Sequence, residues 1–236
     1  MPVDIPKLCA DFLRTEYATA TGGKLKASHA HEVVAAFFGY KSRAALLAEK
    51  TYLLSQLNDA EILAPDIQLI EARRTSLEGL PADLPESKEL ASSISDLLMK
   101  AGQFSGEVWL YGSLEEYLRE VWLPDQEAVV SDGLSGVMTE TNAIFDQGTW
   151  YEQAEITDNG DVLTVEVTGQ ADGTSDSERP FCGDQIDVKL TVDFVRVAGK
   201  VAFYKPDITS IHGEINDDWV DPELKYGTSG PSSAAP

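Results

Sequence analysis

The chain has 236 residues, of which 43% are hydrophobic, enough to bury a core without disulfide or metal staples. Its formal net charge of −22 repels phosphate, which excludes general nucleic-acid or anionic-membrane binding by the molecule as a whole. No run of 18 apolar residues reads as a membrane span, and the N-terminus, with Asp4, Asp11 and Glu16, lacks the basic start and apolar run of a secretory signal.

Apolar residues at helical spacing predict a first helix over Ile5 to Thr19, stopped at Gly22 and Gly23. A second helix is expected from Ser28 as cap, with Val33, Val34, Phe37 and Phe38 on one face and Gly39 as its stop. Ser42 is read as the cap of a short third helix, closing a helical hairpin by Lys50. Helical pattern continues from Thr51 to about Ser76, with Pro65 expected in the first turn of a new helix. Pro81 and Pro85 mark a connection, and Ser87 to Lys100 is amphipathic, with Gly102 beyond it. Ser113 and Glu116 match a capping box, opening a helix expected to reach about Trp122 and stop before Pro124.

After Trp150 the period changes to two. Tyr151 to Ile156 and Val162 to Thr168 flank Thr157-Asp158-Asn159-Gly160, the signature of a hairpin. A polar loop is expected from Gly169 to Asp184. Ile186, Val188, Leu190, Val192 and Phe194 then alternate with Asp187, Lys189, Thr191 and Asp193, giving one buried and one wet face. Short strands at Val201 to Tyr204 and Ile208 to His212 complete a small, mostly antiparallel sheet, so the fold class is α+β. The division expected is a helical hairpin module over 1–50, a mainly helical region over 51–150, a β-rich region over 151–226, and a tail over 227–236 too poor in apolar residues to fold.

Residues Leu25 to Glu49 (LKASHAHEVVAAFFGYKSRAALLAE) resemble the short helical module that precedes the glyoxalase-like fold in some bacterial proteins. The resemblance implies a bacterial accessory module and nothing catalytic. The paired βαβββ units and spaced His and Glu ligands of a glyoxalase-like metal site are not in the sequence.

Charge is divided unevenly. Residues 1–50 hold seven bases and five acids, and the totals of 18 and 40 leave 11 bases and 35 acids for the rest. Lys24, Lys26, Lys41 and Arg43 are the candidate binding residues of a basic helical hairpin, which would otherwise be a solvated rim. His29 and His31 diverge if the segment is helical. His212, Glu214, Asp217 and Asp218 form the candidate metal cluster, since a strand places His212 and Glu214 on one side and a turn would return an Asp; the same residues also suit an ordinary turn. A divalent cation is the cofactor this cluster would take, activating water for hydrolysis. Cys9 and Cys182 are too far apart in unlike contexts to suggest a disulfide framework, and a reducing cytoplasm is the compartment expected. A loop cysteine such as Cys182 reads as structural rather than nucleophilic. Trp109, Tyr111, Trp122 and Trp219 are either core or interface.

No nucleotide-binding glycine pattern and no GxSxG elbow is present, and no catalytic residue is assigned. The expectation is a noncatalytic binding or accessory protein of a bacterial cell or mobile element, with another protein as its partner and no membrane. The alternatives are a metal-dependent hydrolase at His212, and an acidic inhibitor that imitates DNA.

Overall fold

The structure, a computed structural model, describes residues 3–175, 178 and 183–218. Cys182, Trp219 and the tail from Gly227 lie outside the described residues. Helix α1 (Ile5–Thr21) starts at Asp4, whose carboxylate accepts a hydrogen bond from the Lys7 amide at 3.0 Å, and ends at Gly22 in the left-handed region. Helix α2 (Ala27–Phe37) begins one residue before the expected Ser28 cap. Lys26 precedes it with no side-chain cap, so burial of its apolar face from His29 to Phe37 holds it in place. Ser42 caps α3 (Arg43–Ala48) as expected, its hydroxyl 3.2 Å from the Ala45 amide.

The stretch 51–76 differs from its helical expectation. It forms a 3-10 turn over Leu54–Asp59, a two-residue strand β1 (Ile62–Leu63) and helix α4 (Ile67–Ser76). Pro65 lies outside α4 because Asp66 takes the cap, accepting from the Leu69 amide at 2.7 Å. Helix α5 (Ser87–Lys100) matches its expected bounds, and a second short strand, β2 (Glu107–Val108), pairs in parallel with β1.

Ser113 caps α6 (Leu114–Tyr117), but the helix continues through a π turn at Leu118–Trp122 into α7 (Leu123–Asp125). Pro124 does not stop it. It follows directly on the π turn, in which the Leu123 amide donates to the Leu118 carbonyl five residues back. Helix α8 (Glu127–Thr141) has no counterpart in the sequence reading; Gly133 and Gly136 weaken its pattern.

The long strands are β4 (Thr149–Asp158), β5 (Val162–Asp172), β7 (Gln185–Ala198) and β9 (Asp207–Ile215), with β3 (Ala143–Ile144), β6 (Thr174–Ser175) and β8 (Ala202–Phe203) as two-residue pieces. The expected polar loop therefore starts later than Gly169, which lies inside β5. A Cβ there would collide with the Trp150 carbonyl, beside the β-bulge where β4 shifts register between Tyr151 and Gln153. Among the described residues the main sheet has seven strands, ordered β2-β1-β8-β7-β5-β4 with β9 also paired to β7, and β3 pairs with β6. Every pairing but β1 with β2 is antiparallel.

Buried side chains fall into two clusters. One packs α1 to α5 around Val33, Phe37, Phe38, Ile94 and Leu98. The other packs α6 to α8 onto Val165, Val167, Leu190, Val192 and Phe194. The short strands divide them, because alternate residues of a strand point to opposite sides: Ile62 and its partner Phe203 join the sheet core, while Leu63 and its partner Ala202 join the helical core. The β7–β8 turn seals the junction, with the Gly199 amide donating to the Tyr52 carbonyl and the Lys200 amide to the Phe38 carbonyl.

Candidate functional site

In β4, β5, β7 and β9 one residue in two faces the core and the other faces out. Register brings the outward residues into cross-strand rows. Trp150, Gln170, Asp187 and Glu214 form one row, and Gln153, Thr168, Lys189 and His212 the next. Glu155, Glu166, Thr191 and Ser210 follow, then Thr157, Thr164, Asp193 and Asp207. Helices α6 to α8 cover the opposite face, and among the described residues nothing covers this one: Glu155, Glu166, Asp187, Asp207, Glu214 and Trp150 are all exposed.

These four rows hold six carboxylates against one lysine and one histidine. Side chains tie the strands together without neutralising the face. Lys189 pairs with Glu166 at 2.7 Å, Thr164 donates to Asp193 at 2.7 Å, and Gln170 and Asn216 both donate to Asp187. Strands about 4.7–4.9 Å apart hold such charges on a fixed lattice. Trp150, 64% exposed, stands at one corner.

Helix α8 braces the β9 edge from behind. Gly213, in mid-strand, leaves the space that Leu134 and Val137 fill, and Gly133 admits Ile211 in the same way. At the far end of the hairpin, Arg196 forms two bonds to Asp158, at 3.2 and 3.1 Å, donates to the Gly160 carbonyl, and lies over the Tyr52 ring. The guanidinium holds the Asp158 carboxyl below its ordinary pKa.

His212 and Glu214 do share one side of a strand, as expected, and both are exposed. The strand runs to Ile215, so Gly213 is packing space rather than turn, and Asp217 and Asp218 follow beyond its end. Among the described residues no group of three or more His, Cys, Asp or Glu side chains is placed to hold a metal ion. His212 faces Lys189 across the ladder, an ammonium that disfavours a second cation there.

Of the basic residues, Lys24 and Lys26 precede α2 in the chain and Lys41 and Arg43 follow it, all exposed. The chain turns back after α2, so that the Arg43 amide donates to Glu32 at 3.1 Å and Arg43 lines a cleft together with His31. His29 is buried with Nδ1 unpaired, while His31 is partly exposed and lowered in pKa by burial and then by Arg43. Burial pushes the Cys9 thiol up to about 12, which keeps it protonated and inert. Trp109 and Trp122 are core residues, and Tyr111 is half-buried.

Glu155, Asp207 and Trp150 are members of the face that sequence reading did not single out. Period-two alternation marked the wet sides of single strands, but only strand order sets them side by side. Among known proteins, no family model, no curated protein and no solved structure matches the chain. Among the described residues no helix is long and apolar enough to cross a membrane.

Proposed function

We propose that this chain is a noncatalytic binding protein that presents the outer face of its sheet to a basic surface on another protein. The observation that supports it is the open four-strand face, whose four rows set six carboxylates against Lys189 and His212, with an exposed Trp150 at the corner. Such a face attracts a basic partner over a distance set by ionic strength, and the indole supplies contact area once the partner has docked. A sheet braced by α8 and bound into the helical core orders few side chains on binding, which lowers the entropic cost.

The test compares capture by the immobilised protein from lysate of its source cell with capture by two isosteric variants. One carries Glu155→Gln, Glu166→Gln, Asp207→Asn and Glu214→Gln on the face. The other carries Glu78→Gln, Asp132→Asn and Glu140→Gln, which are exposed acids outside it. A partner held by wild type and by the second variant, released by salt and not retained by the first, supports the reading; equal retention by both variants sinks it. Deleting residues 1–50 would not serve, because α1 and α2 supply much of the helical core.

The inhibitor that imitates DNA is a narrower form of the same proposal, supported by the fixed spacing of the carboxylates. It requires that duplex DNA compete with this protein for the partner.

A further inference from the structure

On the helix-covered side of the sheet, where the two cores meet, a cleft of about 330 Å³ opens beyond the carboxyl ends of β1 and β2. Because these strands are parallel, both chains leave them at the same end, through Ala64 and Trp109, and enter helices capped by Asp66 and Ser113. A crevice beyond the carboxyl ends of parallel strands is where α/β sheets place small ligands. The volume falls at the low end of the range for such sites.

One wall is aromatic. Trp109 stacks on Tyr117 with ring centroids 4.4 Å apart, and Tyr111 stands at 77° to Tyr117 with centroids 5.5 Å apart. Tyr111 already attracts an ammonium from outside the cleft, since Lys88, which is not part of the lining, has its Nζ 5.8 Å from the ring centroid. The carboxylate residues of the lining are Asp66 and Glu115, and its lysine, Lys200, directs Nζ over the Tyr40 ring at 5.7 Å, a ring outside the cleft. Electron-rich rings beside carboxylates, with the one lysine of the lining engaged elsewhere, select a positive and partly apolar guest.

We propose that this cleft binds a small organic cation of the alkyl- or arylammonium class, its apolar part against Tyr111 and Tyr117 and its charge balanced by Glu115 and Asp66. The site lies on the opposite side of the sheet from the acidic face and does not depend on it.

The experiment is a calorimetric titration of the full chain with benzyltrimethylammonium, with benzyl alcohol as the neutral counterpart and benzoate as the anionic one. Saturable binding of the cation, about tenfold tighter than benzyl alcohol and with benzoate weaker still, is the result expected. Tyr111→Ala and Glu115→Gln should each weaken it about fivefold or more, and Tyr111→Phe, which keeps the ring, should bind like wild type. Thermal melts of each variant separate lost binding from lost fold. Equal affinity for benzyl alcohol would reduce the cleft to an apolar slot. Preference for benzoate would assign it to the helix N-termini instead. Either result, no saturation, or wild-type binding by Glu115→Gln overturns the proposal.

Discussion

The two faces of the long sheet are written in the same four stretches of sequence, alternate residue by alternate residue, yet they have opposite fates. Val165, Val167, Leu190, Val192 and Phe194 on one face are buried under α6 to α8, while Glu166, Asp187 and Lys189 on the other stand in water. The difference teaches that one face carries the stability of this half of the molecule, while the other is free to carry charge at little cost to the fold.

Substitutions that respect or violate this division should differ by several kcal/mol. The largest effect is expected for Phe194→Ala, which removes a fully buried ring that packs against Trp109 and Phe203; about 3–5 kcal/mol of unfolding free energy should be lost in denaturant titration. Running Phe37→Ala in the helical core beside it asks whether the two cores melt together. A single transition for both variants would mean that the short strands joining them transmit the loss.

Arg196→Ala comes next, at about 2 kcal/mol, below the usual cost of breaking a fully buried pair because the Asp158 side chain remains 46% exposed and rehydrates. Its pH dependence has a definite sign. The Asp158 pKa is lower in the folded protein than in the unfolded chain, so its stabilisation is present above the unfolded carboxylate pKa of about 4 and is lost as pH falls through the folded value. The variant should lose less stability than wild type between neutral pH and acid, read from urea midpoints across that range.

Gly213→Ala should cost about 1–2 kcal/mol, since the new methyl would lie 2.6 Å from Leu134 Cδ2 and 2.9 Å from Val137 Cγ1, side-chain ends that yield only in part. Gly136→Ala, three residues beyond Gly133 on α8 and with nothing within 4 Å, should instead raise stability by about 0.5–1 kcal/mol. The smallest effect belongs to the open face. Lys189→Met breaks an exposed pair with Glu166 and should change stability by less than about 1 kcal/mol in thermal melts. A larger loss would show that the charged face supports the fold and would weaken the contrast between the two faces.

Legibility in the sequence followed how local each signal is. Helix α5 and the caps at Ser42 and Ser113 were readable because a cap or an apolar stripe acts within four residues of itself. The π turn that carries the chain past Pro124 was not, since it depends on Leu118, Trp122 and Leu123 finding buried places in the sheet core. Strands β1 and β2 are two residues each, too short for any period, and exist because β8 and each other supply partners from distant parts of the chain. Part of the candidate face is visible as alternation, in β5 up to Thr168 and in β7 from Asp187 to Asp193, and His212 and Glu214 read as one side of a strand; Gln170, expected in a loop, and the extent of the face are not.

The sequence by itself determined that a mainly helical part precedes a mostly antiparallel sheet, that each long strand has a wet and a dry side, and that charge after residue 50 is heavily negative. These follow from periodicity and composition, which need no knowledge of neighbours. Tertiary structure alone decided that His212 and Glu214 lie in one ladder with Lys189 and Asp187, that Arg43 returns beside His31 and Glu32 of α2, and that rings from 109 to 117 close a cleft between two cores. Each of these is a juxtaposition of residues far apart along the chain, fixed by strand order, register and the burial of surfaces that no local window contains.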